Sequence, residues 1–366
     1  MTQIGKFITL VHLRETTSLL LFVLIENQIK VSPIILLLTF MLSGSVFAQK
    51  SDSLALSKIF QSADEISTVR TLLIQHKGEL LEAKSFDGRK LNQTFNIKSA
   101  SKSIIGLLTG IAIEKGFIPS IEEPISTYFL DYFEKNPDSL KESITIRNLL
   151  TMKAGLRSTS SRNYGAWVIS KNWIEYALEQ DFIAEIDGQM VYSTGSSHLL
   201  SVIISKSSEM STKEFAKKYL FGPMNIRIGG WDKDPQGYYM GGNNLALKPS
   251  DMVKIGQLIL DNGIYKGEQL VAEDWILDSF KTYTISNYNP FGYGYQWWNQ
   301  KIGGYQTYFA WGNGGQYIFI ISEIEAVIVI TSTTANTPSR RGYMDAIFPL
   351  LGEEIVPFLS KKSTTD

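Results

Sequence analysis

The run Gln316-Tyr-Ile-Phe-Ile-Ile-Ser-Glu-Ile-Glu-Ala-Val-Ile-Val-Ile-Thr331 decides the fold. Two segments rich in Ile and Val, 316–322 and 326–331, flank a short acidic turn, which predicts a β-hairpin. A second hairpin is predicted far upstream, where 71–75 and 79–85 surround His76-Lys77-Gly78. Between the two lies helical sequence. Residues 99–115 carry Ile104, Ile105, Leu107, Leu108, Ile111 and Ala112 at helical spacing, and Gly116 ends the helix. The pattern stays mostly helical from about 117 to 228, broken by loops at 158–165 and 187–195, and further helices are expected at 249–262 and 272–280. An amphipathic helix at 53–66 and a final one from about 341 to 359 complete the order. Hairpins so far apart point to an α+β fold, an α/β sandwich. One antiparallel sheet is flanked by helices, and a mainly helical lobe is inserted. The expected division is a single domain over 49–366, with sheet parts at about 50–116 and 235–366 and the lobe at about 117–234.

The chain has 366 residues, 35 Lys and Arg against 36 Asp and Glu, and a formal net charge of −1. A nucleic-acid surface needs a strong basic excess, so this balance argues against one. There is no cysteine, which excludes a thiol nucleophile, a disulfide and a Cys-ligated metal. Only His12, His76 and His198 supply imidazole, so metal sites and histidine catalysis are short of material, and no metal or cofactor is expected. His76 falls in a predicted turn and reads as solvated; His198 reads as a partnered structural residue. Aromatic residues crowd the second half, as in Phe291-Gly-Tyr-Gly-Tyr-Gln-Trp-Trp298. Mixed with glycine, they read as a pocket wall.

The N-terminal region carries two apolar stretches, 19–25 and 34–41. Both are shorter than the roughly 18 residues that span a bilayer, which disfavours a single-pass anchor. Lys30, the second stretch and Ser43-Gly-Ser-Val-Phe-Ala48 form the n-region, h-region and small-residue cleavage site of a secretory signal. Residues 1–48 are thus expected to be a signal peptide, with 1–29 an extension from an upstream start codon. The mature protein is expected in the periplasm or outside the cell, without a membrane span.

No Gly-x-Ser-x-Gly elbow, His-Glu-x-x-His or phosphate-binding loop is present. The sole Ser-x-x-Lys is Ser99-Ala-Ser-Lys102, at the start of the most apolar helix. Ser and Lys three apart share a helix face, so the amine can reach the hydroxyl. A lysine in apolar surroundings loses basicity and can take a proton from it. Tyr192-Ser-Thr194 precedes a helix and offers a phenol for proton transfer. Trp311-Gly-Asn-Gly-Gly-Gln316 is expected just before a strand, where glycines let backbone N–H groups approach a substrate.

These motifs, with Asn148-Leu-Leu-Thr-Met-Lys-Ala-Gly155, Leu220-Phe-Gly-Pro-Met224 and Gly292-Tyr-Gly-Tyr-Gln-Trp-Trp298, occur in one order over most of 55–355. In that order the chain resembles the serine β-lactamase and penicillin-binding-protein-like hydrolases. It is most similar to the branch of class C β-lactamases, carboxylesterases and 6-aminohexanoate-dimer hydrolase. The resemblance implies Ser99 as acylated nucleophile, Lys102 as its base and Tyr192 as proton relay. It places the oxyanion hole at the N–H of Ser99 and a main-chain N–H within Asn313, Gly314 and Gly315. Two positions depart from the pattern. Thr194 stands where a substrate-holding Asn is usual, and Trp311-Gly-Asn313-Gly lacks the usual cation. Both favour a small linear ester or amide without a carboxylate at that position over a β-lactam. Tyr164 and Trp167 are expected to line the cleft. The alternatives are a weak β-lactamase, a D-alanyl-D-alanine carboxypeptidase, or a non-catalytic binding protein of the cell envelope.

Overall fold

The computed structural model describes residues 52–88, 90–334 and 340–365; the expected signal peptide at 1–48 lies outside them. The chain divides into two compact units, 1–58 and 59–366. Of the first, residues 52–58 are described and are helical. The second carries all that follows.

Its main sheet has eight strands, all neighbours antiparallel. In chain order the strands are β1 (Val69–His76), β2 (Glu79–Ser85), β3 (Phe95–Asn96), β4 (Ala246–Leu247), β5 (Ile264–Tyr265), β6 (Glu268–Gln269), β7 (Thr284–Ile285), β8 (Gly292–Tyr293), β9 (Trp298–Ile302), β10 (Tyr305–Gly312), β11 (Gln316–Ile321) and β12 (Ala326–Ser332). The spatial order is β2-β1-β12-β11-β10-β9-β8-β7, while β3–β4 and β5–β6 form two small separate pairs. The last strand therefore pairs with the first, with Ile74 opposite Ile328. Both predicted hairpins form, β1–β2 and β11–β12.

Every residue of β11 and β12 is buried, because both faces of the sheet are covered. Ile318, Ile320, Val327 and Val329 join one core with the helices α1 (Ser101–Glu114), α2 (Thr194–Ser208) and α3 (Pro249–Leu260). Gly256 lets α3 lie against the sheet, since a Cβ there would come within 2.4 Å of Val327 Cγ1. The opposite face presents Phe309, Tyr317 and Phe319 to Phe348. Phe348 belongs to a terminal helical run, Arg340–Pro349, then a π-helical stretch Leu350–Ile355, then Val356–Thr365. Alternate residues of one strand thus serve two layers of helix.

Two expectations are corrected. His76 is not solvated: it is buried as the last residue of β1, its Nε2 2.9 Å from Ser363 Oγ. The turn shrinks to Lys77 and Gly78, both at positive φ, and the terminal helix covers the strand end. The segment 305–312 is strand β10, and the aromatic run 291–298 is β8, the start of β9 and the connection between them, rather than a bare pocket wall. Trp297, Tyr293 and Tyr295 are among the most buried side chains. Among the described residues, no helix is long and apolar enough to cross a membrane.

Candidate active site

Ser99 sits one turn earlier than a helix over 99–115 implies. After β3 the chain takes Lys98 into the left-handed region at φ 53° and makes a 3₁₀ turn over Lys98–Ala100 before α1 begins. Asn96 Oδ1 accepts the Lys98 N–H at 2.9 Å, and Ser101 Oγ donates to the Lys98 carbonyl at 2.6 Å. Those bonds hold a backbone conformation that costs a non-glycine residue roughly 1–2 kcal/mol. The strained residue is the immediate neighbour of Ser99.

Lys102 lies within the first turn of α1 and is fully buried. Its Nζ is 3.4 Å from Ser99 Oγ, 3.3 Å from Thr194 Oγ1 and 2.6 Å from the Gly242 carbonyl oxygen. Removal from water lowers its pKa from 10.5 to about 7, because an ammonium is penalised where no solvent can stabilise it. Gly242 has to be glycine in this packing: a Cβ would stand 2.6 Å from Thr194 Cγ2 and 3.0 Å from Lys102 Nζ.

Tyr192 precedes α2 and is half-buried, with Lys102 Nζ 5.1 Å from its ring centroid. Its ring contacts Tyr293 edge-on at 6.1 Å and Trp298 at 5.5 Å. Trp298 in turn meets Trp311 at 5.4 Å, so an aromatic row joins Tyr192 to the end of β10.

Trp311 and Gly312 end β10, Asn313, Gly314 and Gly315 make the turn, and Gln316 opens β11. Asn313 is exposed, whereas Gly314 and Gly315 are buried with φ of 83° and 96°. The Gly315 N–H is given to the Gly312 carbonyl at 3.2 Å. Gly312 touches the segment carrying Ser99, since a Cβ on it would lie 2.1 Å from the Ile97 carbonyl oxygen and 3.0 Å from Lys98 Cβ. The third motif and the first are therefore in backbone contact.

Thr194 is buried and faces Lys102, with its Oγ1 also 2.8 Å from Ser160 Oγ. Tyr164 is half-buried, and its hydroxyl accepts from Asn243 Nδ2 at 3.1 Å, beside the Gly242 loop. Trp167 does not line a cleft. It is wholly buried, donating from Nε1 to the Trp173 carbonyl at 2.9 Å. Gly242 and Ser160 are the members that sequence reasoning missed. Gly242 acts through a carbonyl, which carries no side-chain signature. The Gly241-Gly242 pair was the available signal.

The geometry is that of a half-buried Ser99 in the turn leading into a helix, beside a fully buried Lys102 in its first turn, with the helix packed against an antiparallel sheet. The beta-lactamase family model matches residues 58–348, and the chain belongs to that family of serine hydrolases. No curated protein matches it. Among solved structures it is similar to a Bacillus anthracis protein assigned as a 6-aminohexanoate-dimer hydrolase, at 18% identity and TM-score 0.68, covering 82% of this chain and 81% of that one. The octameric penicillin-binding protein homologue from Pyrococcus abyssi shares 20% identity at TM-score 0.65, over 82% of this chain and 77% of that one. EstCE1, a hydrolase with promiscuous acyltransferase activity, shares 16% identity at TM-score 0.67, over 84% of this chain and all of its own. At such identities the likeness is one of fold.

Proposed function

We propose that this protein is an exported serine hydrolase that cleaves a small neutral ester or linear amide through an acyl-enzyme. The observation that carries the reading is the buried Lys102 amine, 3.4 Å from Ser99 Oγ and with its pKa lowered to about 7 by burial. A neutral amine has two N–H donors and one lone pair. The Gly242 carbonyl can only accept, and Thr194 Oγ1 takes the second N–H, so the lone pair is left for the Ser99 proton.

The Ser99 O–H proton passes to Lys102 Nζ as Oγ attacks the substrate carbonyl carbon. The resulting oxyanion is held by the Ser99 N–H and by a main-chain N–H of Asn313 or Gly314, because that of Gly315 is already engaged. Tyr192 carries the proton to the departing alcohol or amine, and water then releases the acyl group from Ser99. No cation stands in Trp311–Gly315 to hold a substrate carboxylate, and the neighbouring rings run from half-buried Tyr192 through buried Trp298 to buried Trp311. That combination supports a neutral substrate with an apolar group. Export rests on the basic, apolar and small-residue pattern of residues 30–48.

A fluorophosphonate should label the protein once, on Ser99, and Ser99→Ala should abolish labelling. Across a p-nitrophenyl ester, a linear amide and nitrocefin, turnover should favour the first two. Labelling that survives in Ser99→Ala, or faster nitrocefin hydrolysis, would overturn the reading. Tyr192→Phe should lower amide turnover by about 10²-fold, as for other acid–base groups. The loss should be smaller on the p-nitrophenyl ester, whose phenolate leaves without a proton. Equal losses on both would remove the relay role.

A further inference from the structure

His198 lies one turn after Thr194 on α2, and its side chain and that of Asp234 have no exposure. Its Nε2 is 2.9 Å from Asp234 Oδ2, and its Nδ1 accepts the Gly241 N–H at 3.4 Å. The two contacts fix the tautomer, with the proton on Nε2. Trp167 and Trp173 meet the ring edge-on at 5.7 and 5.6 Å, which holds it in place.

Asp234 and Gly241 stand on the two arms of one short hairpin. Lys233 bridges Tyr239, the Asp234 N–H donates to the Tyr238 carbonyl at 2.8 Å, and Asp234 Oδ1 accepts the Tyr238 N–H at 2.7 Å. Ser201, further along α2, donates to the Tyr239 carbonyl at 2.7 Å. Gly241 is pressed so closely on α2 that a Cβ would lie 2.0 Å from the Ser197 carbonyl oxygen. The residue that follows is Gly242, whose carbonyl receives Lys102 Nζ. Helix α2 thus reaches Lys102 twice, directly through Thr194 and indirectly through His198, Gly241 and Gly242.

We infer that His198 and Asp234 are positioning residues for Lys102: they pin the 232–242 hairpin to α2, keep the Gly242 carbonyl on the amine and close the site to water. The inference rests on the reading of Lys102 as the base. Among the groups in contact, Asp234 faces His198, Tyr192 faces Lys102, and Lys233 turns away to the Tyr239 ring at 4.8 Å. An imidazole that only filled space could be replaced by any side chain of its volume. One that joins two hydrogen bonds could be replaced only by an acceptor and a donor together.

The test uses the full chain with ¹³Cε-labelled lysine, Lys102 being the resonance lost in Lys102→Arg, titrated by NMR beside the pH profile of kcat/KM on a p-nitrophenyl ester. His198→Leu admits water and should move the Lys102 midpoint upward by about one unit or more, a tenfold loss of neutral amine at low pH. His198→Gln, which offers an acceptor and a donor, should move it less than half as far. Asp234→Asn keeps volume, removes an acceptor, should shift the midpoint the same way, and gives the result if His198→Leu does not fold. Midpoints unmoved in the Leu and Asn variants, or moved equally by Leu and Gln, would overturn the inference. If the NMR midpoint moves and the rate profile does not follow, the positioning stands and the assignment of Lys102 as base falls.

Discussion

Lys102→Met should lower ester turnover by at least about 10³-fold and at the same time make the folded protein more stable. The side chain keeps nearly the same length and loses only its amine. Its folded pKa, about 7 against an ordinary 10.5, means that the unfolded chain holds this proton where the folded one releases it. Below pH 7 both states are protonated and the whole cost of burying an ammonium is present, about 5 kcal/mol on the pKa difference alone. As pH rises from 7 toward 10.5 the parent recovers that stability, and the methionine variant has nothing to recover. Thermal melts across this range should therefore converge at high pH. In the parent, kcat/KM should rise through pH 7 as the amine becomes neutral. Ser99→Ala should cost at least as much activity as Lys102→Met, and the double variant little more, because the two act as one unit. A double variant whose losses multiply would show that they do not.

Gly312→Ala should cost about 10²-fold in kcat/KM and roughly 1–3 kcal/mol in stability, although it adds one methyl group. The Cβ would lie 2.1 Å from the Ile97 carbonyl oxygen, and backbone cannot rotate aside as a side-chain tip can. The strand or the 97–99 segment must move, and the second of these carries the nucleophile. Gly165 provides the comparison. It lies in the short helix Tyr164–Val168 with nothing within 4 Å of its Cβ position, so Gly165→Ala should be neutral or slightly stabilising. Denaturant melts and ester kinetics on the three proteins separate a local displacement from a general loss of fold. Similar behaviour of the two alanine variants would contradict the close contact.

What could be read from sequence depended on whether a side chain advertised its surroundings. The β1–β2 and β11–β12 hairpins were legible, because runs of Val and Ile between turn residues have few other uses. The closeness of Ser99 and Lys102 was legible because residues three apart at a helix start share a face. Strands β9 and β10 were not, since their aromatic residues alternate poorly and both of their faces are largely covered. His76 was misread because its cover comes from Ser363, almost at the other end of the chain. Trp167 was misread because an aromatic residue in a loop looks alike whether it faces a substrate or a buried imidazole. The Gly242 carbonyl leaves no mark in a sequence beyond the absence of a side chain.

The placement of β12 between β1 and β11 also sets a timetable. A ribosome makes β1 first, and its inner edge stays without a neighbour until everything between it and residues 326–332 has been made. Contacts of such large sequence separation form slowly, because the intervening loop must close first. The nascent chain therefore cannot complete its central sheet before residue 332 has been made. Messages truncated before residue 326 leave a strand edge exposed to aggregation rather than a smaller working protein.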